Sequence, residues 1–172
     1  MVKKIISTDN VIIRKAQRKD ASEIILLVKH VMSEAPFFPR TPDEFDFTTE
    51  QEEEYIDNIA LFLVAEIDGK IVGSATLDRS NLSMLSHTAD FGITILKEFS
   101  GQGIGSLLLE KVIDWVELKK VEKINLEVFE DNLPAISLYK KFGFIEEGRR
   151  RKAIKAGEAY RDVILMGRFS NE

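Results

Sequence analysis

The stretch TADFGITILKEFSGQGIGSLLLEKVIDWVE, residues 88–117, holds the change of period that decides the architecture. Thr88 to Ile95 reads as an extended strand. From there Ile104, Leu107, Leu108, Val112, Trp115 and Val116 recur three or four apart, the period of a helix with one buried face. Between strand and helix, Gly101, Gly103 and Gly105 stand at alternate positions. Glycines let the main chain come close to a ligand, consecutive amides can point at its oxygens, and a helix N-terminus carries about half a positive charge. A phosphate group suits such a turn. A nucleotide-hydrolysing P-loop is disfavoured because no Lys follows the glycines. A dinucleotide fingerprint fits at Gly101 and Gly103, with Glu127 near its acidic position, but Ser106 occupies the third glycine's place. A plain tight turn is the third reading open to the glycines alone.

Upstream, Val11 to Arg14 reads as a strand. Asp20 and Glu23 have capping-box spacing before an apolar helical stripe through Ile24, Leu27, Val28, Val31 and Met32. The segment EAPFFPRTPDEFDF breaks regular structure and gathers Phe37, Phe38, Phe45 and Phe47 in or beside a loop. Thr49 and Glu52 are positioned to cap a second helix. Leu61 to Glu66 and Ile71 to Leu77 flank Asp68-Gly69, which favours a tight hairpin. Downstream, Ile124, Leu126 and Val128 alternate with Asn125, Glu127 and Phe129, a strand expected to lie parallel to Thr88–Ile95. Pro134 suits a helix's first turn, Ala135, Leu138, Tyr139 and Phe142 share its inner face, and Gly143 can end it. Two strands near Phe144–Arg150 and Tyr160–Phe169 complete the order. Residues 1–172 thus read as a single α/β domain with a mixed sheet of seven strands and about four helices.

Composition narrows the chemistry. The 172 residues are 44% hydrophobic and include no Cys and only two His, which removes thiolate nucleophiles, zinc–thiolate sites and an acyl-cysteine intermediate. No metal site is expected. No apolar run reaches the roughly 20 residues of a membrane span, and the start MVKKIISTDN lacks the apolar core of a signal peptide, so a cytoplasmic protein is expected. The net charge is −5, and ten acidic residues from Asp43 to Asp68 are met by no basic one between Arg40 and Lys70. That field disfavours nucleic acid. It reads either as a solvated helix face or as the wall of a site for a cationic ligand. The basic run Arg149–Lys152 lacks interleaved aromatics and reads as a solvated strand end.

FSGQGIGSLLLEKVIDW resembles the acyl-CoA-binding motif of the GNAT N-acetyltransferase superfamily. NLPAISLYKKFGF is similar to that superfamily's second signature, through Asn132, Ala135, Leu138-Tyr139 and Gly143-Phe144. Ser100 departs from the motif, standing where the family carries Arg or Gln. The resemblance covers nearly the whole chain and implies the GNAT fold, in the order strand, two helices, three strands, helix, strand, helix, two strands. It implies acetyl-CoA as cosubstrate and direct transfer of its acetyl group to a primary amine, on a small molecule or a protein N-terminus. The alternative is a catalytically silent acyl-CoA-binding module.

Residue by residue, the resemblance assigns Ile93, Thr94 and Ile95 to main-chain pairing with the pantetheine arm. Ser100, Gly101, Gln102, Gly103, Ile104, Gly105 and Ser106 go to the pyrophosphate, and Asn132 to the pantetheine or to orienting Tyr139, although its place just before Pro134 equally suits a helix-start cap. Tyr139 becomes the acid that protonates the departing sulfur. Glu127 is the candidate base, with Glu130, His87 and ordered water as alternatives; an alkyl amine with a pKa of about 10.4 needs one. An amine partner of cationic character is expected, with neither nucleic acid nor membrane, and room is left for a homodimer.

Overall fold

The computed structural model describes residues 7–170. Residues 1–6, which carry the start read above against a signal peptide, lie outside the described part. Seven strands form one sheet: β1 (Ile12–Lys15), β2 (Leu61–Ile67), β3 (Lys70–Asp78), β4 (Thr88–Ile95), β5 (Lys123–Phe129), β6 (Ile145–Ala156) and β7 (Ala159–Phe169). Four α-helices accompany them: α1 (Ala21–Glu34), α2 (Thr49–Asn58), α3 (Ile104–Leu118) and α4 (Leu133–Lys141). The spatial order is β1-β2-β3-β4-β5-β7-β6. Neighbours run antiparallel except β4 and β5, which are parallel as the strand–turn–helix–strand pattern requires. Among the described residues, no helix is long and apolar enough to cross a membrane.

Local chemistry explains most boundaries. Asp68 and Gly69 both take positive φ, +50° and +78°, closing the β2–β3 hairpin with Ile67 opposite Lys70. Asn132 caps α4 by accepting from the amide of Ala135, Pro134 lies in the first turn, and Gly143 at φ +85° ends the helix.

Two capping expectations need correction. Asp20 does not form a box with Glu23. Its carboxylate accepts from the amide of Gln17 at 2.8 Å and from both terminal nitrogens of Arg14 at 2.7 and 3.0 Å, while Glu23 accepts from the amide of Ile71 in β3. The two-pronged, part-buried ion pair with Arg14 outweighs a local cap. At α2 the box is Thr48 with Gln51, one residue earlier than Thr49 and Glu52. That shift turns Glu52 inward. The last two strands also exceed expectation, because irregularities between Glu146 and Gly148 and between Arg150 and Ile154 let the β6–β7 pairing continue to Ala156 and Ala159.

Alternation divides the sheet into two faces. Phe91 and Ile95 look toward α3 and α4, where the rings of Phe91 and Tyr139 meet edge to face at 6.1 Å. Ser74, Thr76, Gly92 and Thr94 look the other way, toward α1 and α2. Leu108, Leu109, Val112, Phe144 and Ile24 are fully buried in a core continuous through both layers. Each contributes roughly 1.5–3 kcal/mol of burial.

Candidate active site

The parallel pair β4–β5 holds together only briefly. Thr88, Ala89 and Asp90 face Lys123, Ile124 and Asn125, and beyond Asp90 the strands part although each continues, to Ile95 and to Phe129. One edge of the Phe91–Ile95 segment is thereby left without a strand partner, and β3 pairs with its other edge. At the end of β4 the chain makes a short 3-10 turn at Lys97–Phe99 and enters the glycine turn. Gly101 and Gly103 adopt φ of +71° and +90°, conformations costly for any residue with a Cβ. Gly103 is the residue before α3, so the first amides of that helix, which have no intrahelical partner, open beside the parted strands. Gly105 is small for a different reason: a methyl there would lie 2.8 Å from Leu138 Cδ2, so α3 and α4 cross closely at this end.

Two polar side chains of the turn point back into it. Ser100 Oγ donates to the carbonyl of Leu96, and the Gln102 amide donates to that of Glu98. Ser100 therefore steadies the turn, leaving the main chain as its outward-facing part.

Tyr139 is 6% exposed, enclosed by the rings of Phe91 and Phe144. Burial pushes its phenol well above the ordinary range, so it stays protonated at neutral pH. Glu127 sits elsewhere. Asn125 bonds Asp90 across the β4–β5 pair, which puts Asn125 and Glu127 on the face opposite Phe91 and Tyr139. The Glu127 carboxylate lies 2.7 Å from an Arg150 nitrogen and is 54% exposed. Glu130 pairs with Arg149 and accepts from the amide of Asp162. His87 is exposed, and its carbonyl accepts from Glu122 and Lys123.

Against the α1/α2 face of β3 and β4 lies a cavity of about 390 Å³. Ile24, Val28 and Met32 of α1 form one wall, Ser74, Thr76, Gly92, Ile93 and Thr94 the floor, and Phe38, Phe45, Phe47, Tyr55 and Phe62 an aromatic rim. Three of the four loop phenylalanines thus meet here, whereas Phe37 packs edge-on against Phe129. Glu52 projects into the same space with 3% exposure, and desolvation raises its carboxyl to about 7. The cavity reaches Gly92–Thr94, where β4 has left β5.

Residues 26–144 match the family model described as Acetyltransferase (GNAT) family. The chain belongs to the GNAT family. An L-amino acid N-acetyltransferase of Escherichia coli is 43% identical over 108 residues, which span 62% of this chain and 66% of that protein. An N-alpha-acetyltransferase of Sulfurisphaera tokodaii is 34% identical over 164 residues, 90% of each chain. Among solved structures, a GNAT acetyltransferase from Streptococcus pneumoniae superposes with a TM-score of 0.88 at 31% identity, covering 94% of this chain and 99% of its own. A Salmonella typhimurium structure solved with acetyl-CoA has a TM-score of 0.84 at 19% identity over 95% of both chains, a likeness of fold.

Within this GNAT fold, Ile93–Ile95 lie on the open edge of β4, the glycine turn leads from that strand into α3, and Asn132 stands between β5 and α4. Glu127 is not gathered with Tyr139. The residue that sequence reading passed over is Glu52, taken there as a helix cap. Its signal was one acidic residue of α2 spaced with Tyr55 and Ile56 along the helix's inner side, hidden within a run of glutamates.

Proposed function

We propose that this GNAT enzyme transfers the acetyl group of acetyl-CoA to a primary amine by direct attack in a ternary complex. The observation that carries the reading is the parting of β4 from β5 at the glycine turn. An extended pantetheine arm can pair with the open edge at Ile93–Ile95 as an added strand does. The pyrophosphate then meets the amides of Gly101–Ser106 at the start of α3. Asn132, whose side-chain oxygen caps α4, keeps its amide nitrogen for the arm. The thioester carbonyl lies in the gap, with Tyr139 on one side of the sheet and the aromatic-rimmed cavity on the other. The amine attacks the carbonyl carbon, the carbon–sulfur bond breaks, and Tyr139 gives its proton to the leaving sulfur. Burial keeps that proton in place until a thiolate forms beside it.

The acceptor enters through the cavity. Its aromatic rim suits an amine with an apolar body, either an amino acid or the first residue of a polypeptide. The relatives named for L-amino acid and N-alpha acetylation support an α-amine. Glu127 is the weaker claimant for the base because Arg150 holds its carboxylate outside the cavity. The test is thiol release from acetyl-CoA with a panel of amino acids, amino-acid amides and peptides. Acetylated product and stoichiometric thiol are expected for α-amines of apolar residues. Acetyl-CoA binding without thiol release from any acceptor would make the chain a silent acyl-CoA-binding module.

A further inference from the structure

We propose that Glu52 receives the acceptor: its carboxylate holds the incoming ammonium group in the cavity between α1, α2 and the β3–β4 floor, and removes its first proton. The inference rests on the transfer reading above and adds the residue on the amine's side of the reaction.

Three observations carry it. Glu52 is 3% exposed, whereas Glu53 of the same helix pairs with Arg18 at the surface and Glu50 and Glu54 face solvent. A carboxylate is almost never buried this far without partners. Yet no hydrogen bond or ion pair to the Glu52 side chain occurs among the described residues, and burial is what raises its carboxyl. The cavity it enters runs to Gly92–Thr94, the part of β4 open to the cosubstrate. A carboxylate without a protein partner, opening onto one end of an aromatic-rimmed cavity with the thioester's place at the other, complements a cation on a compact apolar body.

Nothing else there competes for that role. α1 presents only apolar side chains, and the floor is hydroxyls and main chain. The remaining titratable groups on the cavity wall are Arg40, exposed on its loop, and Tyr55, whose phenol is held above its ordinary value by burial, with Asp78 and Glu52 adding to the rise and a hydrogen bond with Thr76 opposing it. Proton flow then balances. One ammonium proton passes to Glu52, and the freed lone pair forms the carbon–nitrogen bond. As the tetrahedral adduct expels the thiolate, its second nitrogen-bound proton replaces the one that Tyr139 gives to sulfur. Glu52 returns its proton to water, leaving amide, thiol and one released proton.

The experiment compares the wild type with Glu52→Gln and Glu52→Asp, using acetyl-CoA with 2-phenylethylamine and L-leucinamide across the neutral pH range. Wild-type kcat/KM is expected to rise with pH and level off above about 7. Glu52→Gln should lose about 10²–10³-fold and the acid limb with it, while Asp restores part and acetyl-CoA binding holds. A Gln variant within about threefold of the wild type on both amines, with the limb retained, overturns the proposal. Carboxyl-carbon NMR of glutamate-labelled protein supplies a readout free of turnover. One carboxyl should titrate near 7, vanish in Glu52→Gln and shift downward on adding 2-phenylethylamine. A Glu52 carboxyl titrating in the ordinary range also overturns it. If that carboxyl titrates near 7 and answers to the amine while no acceptor releases thiol, the transfer reading fails and the amine site stands.

Discussion

Replacing Glu52 by Gln should make the protein more stable, by an amount that depends on pH. In the folded chain the carboxyl titrates near 7 against 4.5 for the ordinary side chain, because burial disfavours its anion. Below the unfolded value both states hold the proton and there is no ionisation penalty. Between the two values the unfolded chain has ionised while the folded one has not, so wild-type stability falls as pH rises. Above about 7 the penalty is complete. At about 1.36 kcal/mol per tenfold change, the two values correspond to about 3 kcal/mol. For a domain of this size each kcal/mol moves the melting temperature by about 2–4 °C, so the Gln variant should melt about 6–12 °C higher at pH 8 and nearly with the wild type at pH 5. Thermal and urea denaturation of both proteins at the two pH values measure this. Parallel behaviour of the two across that range would refute the reasoning, since an unpartnered buried carboxylate cannot be free of cost. A more stable and less active variant would mark a side chain kept for chemistry rather than for folding.

Tyr139→Phe should keep the fold and acetyl-CoA affinity while lowering turnover by about 10²-fold or more, read from steady-state kinetics beside a binding isotherm. Gly103→Val places a branched side chain at φ +90° with Thr8 Cγ2 only 3.2 Å from the new Cβ; acetyl-CoA binding should fall below detection in calorimetry while α3 persists by circular dichroism. Asp20→Asn removes the partner shared by Arg14 and the amide of Gln17, and should cost about 3 kcal/mol in urea denaturation at neutral pH. Arg14 holds the Asp20 carboxyl below its ordinary value, so the stability it supplies is present above that value and lost as pH falls through the folded one. The gap between wild type and Asn variant should therefore close in acid.

Periodicity and turn chemistry are written within a few residues of where they act, and there the sequence was legible. The switch from Thr88–Ile95 to the stripe through Ile104 and Val116, the Asp68-Gly69 hairpin, the Asn132 cap and the helix end at Gly143 all appear in the structure where their residue types require them. The acidic stretch was legible only as two alternatives, a solvated helix face or the wall of a cationic site, and the structure separates its members. Glu53 and Asp57 pair with Arg18 at the surface, Glu66 pairs with Arg14, and Glu52 alone sinks into the aromatic-rimmed cavity.

What tertiary structure decided is which carboxylates are used up and which are left unsatisfied. Asp20 and Glu52 both invite reading as helix caps, and Glu127 as a base on a polar strand face, because local spacing cannot tell what arrives from elsewhere in the chain. Arg14 reaches Asp20 from β1, Arg150 reaches Glu127 from β6, and among the described residues none bonds the Glu52 carboxylate once Thr48 and Gln51 have taken the cap of α2 and turned it toward β3. The sequence by itself determined the order of the elements and the glycine turn. The enclosure of one glutamate by two helices, a loop and three strands was decided in three dimensions, since desolvation is set by every neighbour at once.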